Sequence, residues 1–254
     1  MRLQSVALAP LVLLSLLNIT TNIHAMSAAP KSLKLIYADA AFWRGECIRM
    51  AFFMGGIEFE DIRGFDHIKT LREQGKLTFG AVPVLEVDGK ILSQTQAMAC
   101  YASRLAGMHP EDPWLQAKID ECISGCTDVT TTIGSTFSLE DKIEVRKGLI
   151  DPTGEKPGRL WMHMNGLEKI CAENGSEKGF SVGNTLTVAD LAIWRTVGWF
   201  DSGTLDGIPE NWASDTFPAL AKLCGGVNAD PKVPEWKAKY PKFYDKSRKR
   251  GIDE

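Results

Sequence analysis

The stretch Phe79-Gly80-Ala81-Val82-Pro83-Val84-Leu85-Glu86-Val87-Asp88-Gly89, followed by Gln94-Thr95, carries the clearest recognition chemistry in the chain. A proline directly before a strand cannot donate to the ladder. If the Val82–Pro83 bond is cis, the Val82 backbone turns outward. Its N–H and C=O are then free to pair with an extended ligand, as if adding a strand. Only ~5–6% of X–Pro bonds are cis, so a trans strand start is the plain alternative. Gln94 and Thr95 open a helix, whose free N–H groups make an anion site to which Thr95 adds a hydroxyl. The plain alternative for Thr95 is an N-cap.

Other reactive residue types are scattered. Cys47, Cys100, Cys122, Cys126, Cys171 and Cys224 form no CxxC pair, and no Cys/His group has zinc spacing. Separate buried thiols are the expected state, with no metal and no disulfide framework. His67, His109 and His163 stand alone. Leu186-Thr187-Val188-Ala189-Asp190-Leu191 has the spacing of a capping box with a hydrophobic staple, a folding signal that carries no chemistry.

The elements that must hold these residues change character near residues 107–113. Before that point, strands and helices alternate. Leu33–Tyr37 suits a buried strand, Arg44–Met54 a helix stopped by Gly55-Gly56, and Ile57–Ile62 a half-buried strand. Asp66–Lys76 suits a surface helix, Asp88-Gly89 turns a hairpin, and Gln94–Leu105 is a third helix. The order β-α-β-α-β-β-α predicts a thioredoxin-like α/β domain over 31–107. The rest predicts an all-α domain over 114–245. Its helices are Trp114–Phe137, Gly158–Glu173, Thr187–Phe200, Thr216–Cys224 and a segment from Pro234 onward.

The 254 residues carry a formal net charge of -3, so no long-range field draws the chain to nucleic acid. Residues 1–25 read as a signal or leader segment, with Arg2 before the apolar run Val6–Leu17. That run is too short for a stable membrane span. The alternatives are a signal anchor and a protein beginning at Met26. The leader points to export and the dispersed cysteines to a reducing compartment, so localisation stays open between them. Asn174-Gly175-Ser176 is either a glycosylation sequon or a helix-ending turn. The basic end, Lys246 to Arg250, reads as a solvated tail.

Over residues 33–240 the chain resembles the cytosolic glutathione transferases, nearest to sigma-like members. Leu35-Ile36-Tyr37 with Arg44-Gly45-Glu46-Cys47-Ile48-Arg49 looks like that family's first strand and helix. The Phe79–Gly89 block matches its glutathione loop, Gln94-Thr95 stands where the family has Gln-Ser, and Leu186–Leu191 matches its capping box. The resemblance implies that Tyr37 is the catalytic tyrosine, with glutathione as co-substrate and a hydrophobic electrophile as its partner in conjugation. Ala81, Val82 and Pro83 would meet the cysteinyl part, Val82 through its backbone. Gln94 and Thr95 would hold the γ-glutamyl carboxylate, Arg44 would sit beside the thiol, and Arg72 would meet the glycyl carboxylate. A hydroxyl aimed at sulfur stabilises the thiolate, and a ~2 unit fall in thiol pKa requires ~2.7 kcal/mol.

Two departures stand out. Ala38–Trp43 is about one residue longer than the family's spacing, and Ser124 replaces an acid that reaches the neighbouring subunit, with Asp120 and Asp128 one turn either side. The electrophile cleft is expected near Trp43, Met50, Ile133 and Phe137. A homodimer is implied, through Gln96–Leu105 and Trp114–Phe137. Three alternatives accompany this reading: thiol exchange at Cys47, a prostaglandin-synthase-like isomerase, and a non-catalytic crystallin-like protein.

Overall fold

The computed structural model describes residues 29–244, so the leader and the basic tail lie outside the described residues. The first half contains β1 (Leu33–Tyr37), α1 (Trp43–Met54), β2 (Glu60–Arg63) and α2 (Phe65–Glu73), then β3 (Val84–Val87), β4 (Lys90–Ser93) and α3 (Thr95–Leu105). The sheet order is β2-β1-β3-β4, with β1 parallel to β2 and the other pairs antiparallel. The crossover through α1 forces the parallel pair, and the turn at Asp88-Gly89, both residues at positive φ, forces the hairpin.

The second half is entirely helical: α4 (Pro113–Gly134), α5 (Lys142–Ile150), α6 (Arg159–Asn174), α7 (Val188–Phe200), α8 (Trp212–Thr216), α9 (Pro218–Asn228), α10 (Lys232–Lys239) and α11 (Pro241–Tyr244). The fold is a thioredoxin-like α/β unit followed by an all-helical one. Helix α7 forms the central post. Ten of its thirteen residues are buried, and a continuous apolar core joins it to α1, α4 and α9. Arg195 of α7 reaches back to the Ala41 carbonyl, and the Trp43 indole donates to Thr130 of α4 at 2.7 Å.

The structure differs from the sequence expectation in several places. β2 starts at Glu60 rather than Ile57, because the Ile57 N–H closes the end of α1 on the Phe52 carbonyl. Helix α5 has no counterpart in the sequence reading; its single buried residue is Arg146, so it lacks an apolar stripe. The stretch after Phe200 is split into α8 and α9, since Pro218 disfavours helical geometry at Phe217. Pro234 lies in the first turn of α10, where a missing N–H costs nothing.

The capping box forms as its spacing requires. Asp190 is fully buried, and its two carboxylate oxygens each take two donors. Oδ1 accepts from the Ser181 N–H (2.6 Å) and hydroxyl (2.7 Å), and Oδ2 from the Thr187 N–H (2.7 Å) and hydroxyl (2.9 Å). Burial pushes the Asp190 carboxyl above the usual range, and these four donors oppose that shift.

Candidate active site at one end of the sheet

Strand register gathers the candidate residues. Ile36 pairs with Val84, and Val84 with Ser93. The residues just beyond these pairs are Tyr37 at the end of β1, Val82-Pro83 before β3, and Gln94-Thr95 after β4. All therefore emerge at the same end of the sheet. The Val82–Pro83 bond is cis. Among the described residues, no hydrogen bond engages either backbone group of Val82. Ala81 is exposed and Pro83 buried.

Helix α3 begins uncapped. Its N-cap is Gln94, not Thr95, and no side chain caps the first turn. Thr95 is the first helical residue, so the plain N-cap alternative does not describe it. The first backbone N–H with a helical acceptor is that of Met98, bonded to the Gln94 carbonyl. The preceding N–H groups point outward together, and an anion placed there meets both donors and the positive helix end. Gln94 sits at φ 72, a left-handed conformation costing on the order of 1 kcal/mol for a residue other than glycine. Beside it, the Ser93 hydroxyl is buried without a partner. Strain and an orphaned hydroxyl at a helix start both mark a place shaped for a ligand.

Tyr37 is buried, with its ring pressed against Gly45 of α1. A Cβ at Gly45 would come 2.5 Å from Tyr37 Cδ1. Burial raises the Tyr37 pKa, while Arg44 and Arg49 pull it down by a smaller amount. The hydroxyl therefore stays protonated at neutral pH and is available as a donor. Among the described residues it has no hydrogen-bond partner, and the Arg49 guanidinium lies 5.9 Å from the ring centroid. Gly45→Ala should push the ring out of place, lowering stability by ~1–3 kcal/mol and turnover with it. Thermal melting and initial rates check this; a variant with wild-type rate would show that the ring has slack.

Arg44 is half-buried over the Trp43 ring, at 5.3 Å. Arg72 lies exposed on the last turn of α2, and no contact ties it to the other candidates. Ser124 is bonded to Gln96 at 2.9 Å, Asp120 accepts from the Cys100 thiol at 3.0 Å, and Asp128 is exposed. An open groove of about 540 Å³ runs along this α3–α4 face, lined by Gln94, Gln96, Cys100, Tyr101, Arg104 and Asp120 among others.

The expected electrophile cleft needs correction. Trp43, Met50 and Ile133 are fully buried core residues, and only Phe137 is exposed. Their helical spacing shows an apolar face but not whether that face meets core or solvent. Half-buried Phe42 and Trp199 pack edge to face at 4.9 Å, with Phe137 6.4 Å from Trp199. Cys47 is also enclosed in the core, and burial, Cys126 and Glu46 push its thiol far above the ordinary range, the opposite of a reactive thiolate. The six cysteines are free. Among the described residues no group of His, Cys, Asp and Glu could hold a metal ion, and no helix is long and apolar enough to cross a membrane. Asn174 spends its side-chain amide on the Phe180 and Gly183 carbonyls, both at 2.8 Å, so the helix-ending turn accounts for the Asn-Gly-Ser sequence.

Sequence reasoning missed Glu46 and Arg49, both fully buried charges. Their signal was two opposite charges three residues apart on the apolar face of a helix.

Comparison with known proteins gives a consistent picture. A family model described as "Glutathione S-transferase, C-terminal domain" matches residues 151–240. Glutathione S-transferase 1 of Ascaris suum is 30% identical over 220 residues, 82% of this chain and 97% of that protein. Hematopoietic prostaglandin D synthase of Gallus gallus is 32% identical over 201 residues, covering 78% and 92%. The crystal structure of monomeric Na-GST-3, a glutathione S-transferase of Necator americanus, superposes with a TM-score of 0.62 at 26% identity, covering 83% of this chain and 98% of that one.

Proposed function

This chain belongs to the cytosolic glutathione transferase family and is a glutathione S-transferase, and from that premise we propose that Tyr37 activates the glutathione thiol. The observation that carries the proposal is the convergence of Tyr37, the free Val82 backbone and the uncapped start of α3 at one end of the sheet. On this reading the chain is a Tyr-type, sigma-like member. Residues 31–107 form its glutathione-binding domain and 114–245 its helical domain.

Glutathione lies extended along Val82, pairing with the N–H and C=O that the sheet leaves free, between Ala81 and Pro83. Its γ-glutamyl carboxylate sits on the first turn of α3, held by Gln94, Thr95 and the backbone N–H groups. Arg72 takes the glycyl carboxylate, which requires its exposed side chain to swing toward the site. The cysteinyl sulfur then falls beside Tyr37. The hydroxyl donates to the thiolate and not usefully to the thiol, so the bond favours the ionised form. Arg44 adds positive charge. The thiolate attacks an electrophile resting on Phe42, Trp199 and Phe137, forming the carbon–sulfur bond of a conjugate in a detoxification reaction, while the electrophile either expels a leaving group with its bonding pair or takes that pair from a broken π bond and is then protonated. Isomerisation of a prostaglandin-like substrate uses the same thiolate, and the likeness to hematopoietic prostaglandin D synthase favours it as the second reading.

Titration of the bound thiol by its thiolate absorbance tests the proposal. Ionisation well below the free value of ~8.5 is expected. A bound thiol that titrates like free glutathione would remove this mechanism.

A homodimer is expected, with the α3–α4 groove facing a second copy. Asp120 is engaged by Cys100 and Asp128 is exposed, so Asp128 is the acid free to reach across. Sedimentation at micromolar concentration should give twice the monomer mass. A single monomeric species, as in the Necator relative's printed description, would reject it.

A further inference from the structure

Helix α11 is remote in sequence from Tyr37 yet grips the loop that follows it. Lys242 pairs with Asp39 at 2.6 Å. Arg63, beside Tyr37 in the sheet, lies under the rings of Tyr240 (4.5 Å) and Phe243 (5.1 Å). Tyr244 is inserted deepest. Its ring stacks on Trp194 at 6.1 Å with an interplanar angle of 12°, and the Arg195 guanidinium lies 5.0 Å from it. Its hydroxyl donates to Glu46 Oε1, which also accepts from the Trp236 indole at 2.7 Å.

Glu46 passes this grip inward. Its other oxygen accepts from Arg49 at 3.2 Å, and the same Arg49 nitrogen donates to the Ala40 carbonyl at 2.8 Å. Arg49 also donates to Asp61 at 2.9 Å and stands over the Tyr37 ring. Burial disfavours the Arg49 charge, but Asp61 and Glu46 outweigh it and hold the guanidinium more firmly cationic than usual. The loop Ala38–Phe42 has the Ala40 N–H on the Ala38 carbonyl and, at its end, the Phe42 carbonyl taken by the Gly45 and Glu46 N–H groups. Its Ala40 and Ala41 carbonyls are held by side chains, Arg49 and Arg195, the latter donating twice to Ala41. A loop fixed by side chains takes its position from whatever fixes those side chains.

We propose that Tyr244 is a positioning residue: through Glu46 and Arg49 the C-terminal strap sets the Ala38–Phe42 loop and the aim of the Tyr37 hydroxyl. The proposal rests on the reading of Tyr37 as the thiol-activating group. When the Tyr244 hydroxyl is lost, Glu46 keeps the Trp236 indole and Arg49 as donors, and of these two Arg49 is the one that also bonds the Ala38–Phe42 loop.

Tyr244→Phe tests this, because the ring and its stacking remain while the hydroxyl is removed. Around Tyr37 the charged and titratable neighbours are Arg44, Arg49 and Cys47. Around Tyr244 they are Glu46 and Arg195. Both sets are unchanged in the variant. Turnover at neutral pH should fall ~3- to 10-fold, and the acid limb of the rate–pH profile should rise by ~0.5–1 unit, with recovery at high pH. The KM for glutathione should stay within about twofold, since Val82 and the start of α3 are untouched. Trp236→Phe, which removes the other donor to the same oxygen, should shift the profile the same way. In a Tyr37→Phe background, Tyr244→Phe should cause no further loss.

An unchanged profile in Tyr244→Phe, or an equal loss at every pH that persists without the Tyr37 hydroxyl, overturns the proposal and leaves the strap purely structural. A Tyr37→Phe variant with the wild-type profile is a different failure, that of the thiol-activation reading itself.

Discussion

Tyr37→Phe should lose ~10- to 100-fold of turnover at neutral pH, equivalent to ~1.4–3 kcal/mol of stabilisation of the thiolate. The ring still fills its place against Gly45, so the fold survives. What disappears is one donor aimed at sulfur. The bound thiol then ionises closer to its free value, and the rate follows the smaller thiolate fraction. The sign of the pH effect is fixed by that account. The loss is largest on the acid side and shrinks as pH rises, because alkali ionises the thiol unaided. The tyrosine does not add an ionisation of its own in this range, since burial raises its pKa. Affinity for glutathione should change little, because the contacts proposed at Val82, Gln94 and Thr95 are kept. The measurement is the rate–pH profile of both proteins. Equal turnover with an equal apparent pKa would transfer the role to Arg44.

Asp190→Ala carries the largest expected cost to stability. The carboxylate is completely buried and meets four donors from Ser181 and Thr187. Removing it leaves two buried backbone N–H groups and two buried hydroxyls without acceptors, and breaks one of the two arms of the capping box on α7. Such losses cost ~3–5 kcal/mol, against ~1 kcal/mol for an ordinary exposed cap. At this size that lowers the melting temperature by on the order of 10 °C. Asp190→Asn keeps the shape and one acceptor oxygen, so it should fall between the two. Calorimetry decides the matter; an alanine variant within ~1 kcal/mol of wild type would mean that water replaces the carboxylate.

Much of the site could be read from one-dimensional pattern. The cis peptide was one of two alternatives posed by Val82-Pro83. Its neighbours in space followed from strand order, because a parallel β1–β2 pair and a β3–β4 hairpin bring Tyr37, Val82 and Gln94 to one end. The helical spacing of Trp43, Met50 and Ile133 was equally visible, but led to the wrong surface. Periodicity marks the apolar side of a helix, and only packing decides whether that side is covered. The start of α3 was misplaced by one position for a related reason: the helix could start at Gln94 or at Thr95, and the backbone turn at Gln94 decides between them.

The sequence by itself determined the element order of the first half, the capping box at Thr187 and Asp190, and the loop before β3, because each is written within a few residues and depends on local geometry. The tertiary structure alone decided how the Ala38–Phe42 loop is held. Glu46 and Arg49 lie three residues apart, but Tyr244 is 198 residues from Glu46, and Arg195 is 154 from Ala41. A buried charge must find donors wherever the folded chain supplies them. No local pattern names those donors, because their identity follows from which distant surfaces meet when the core closes.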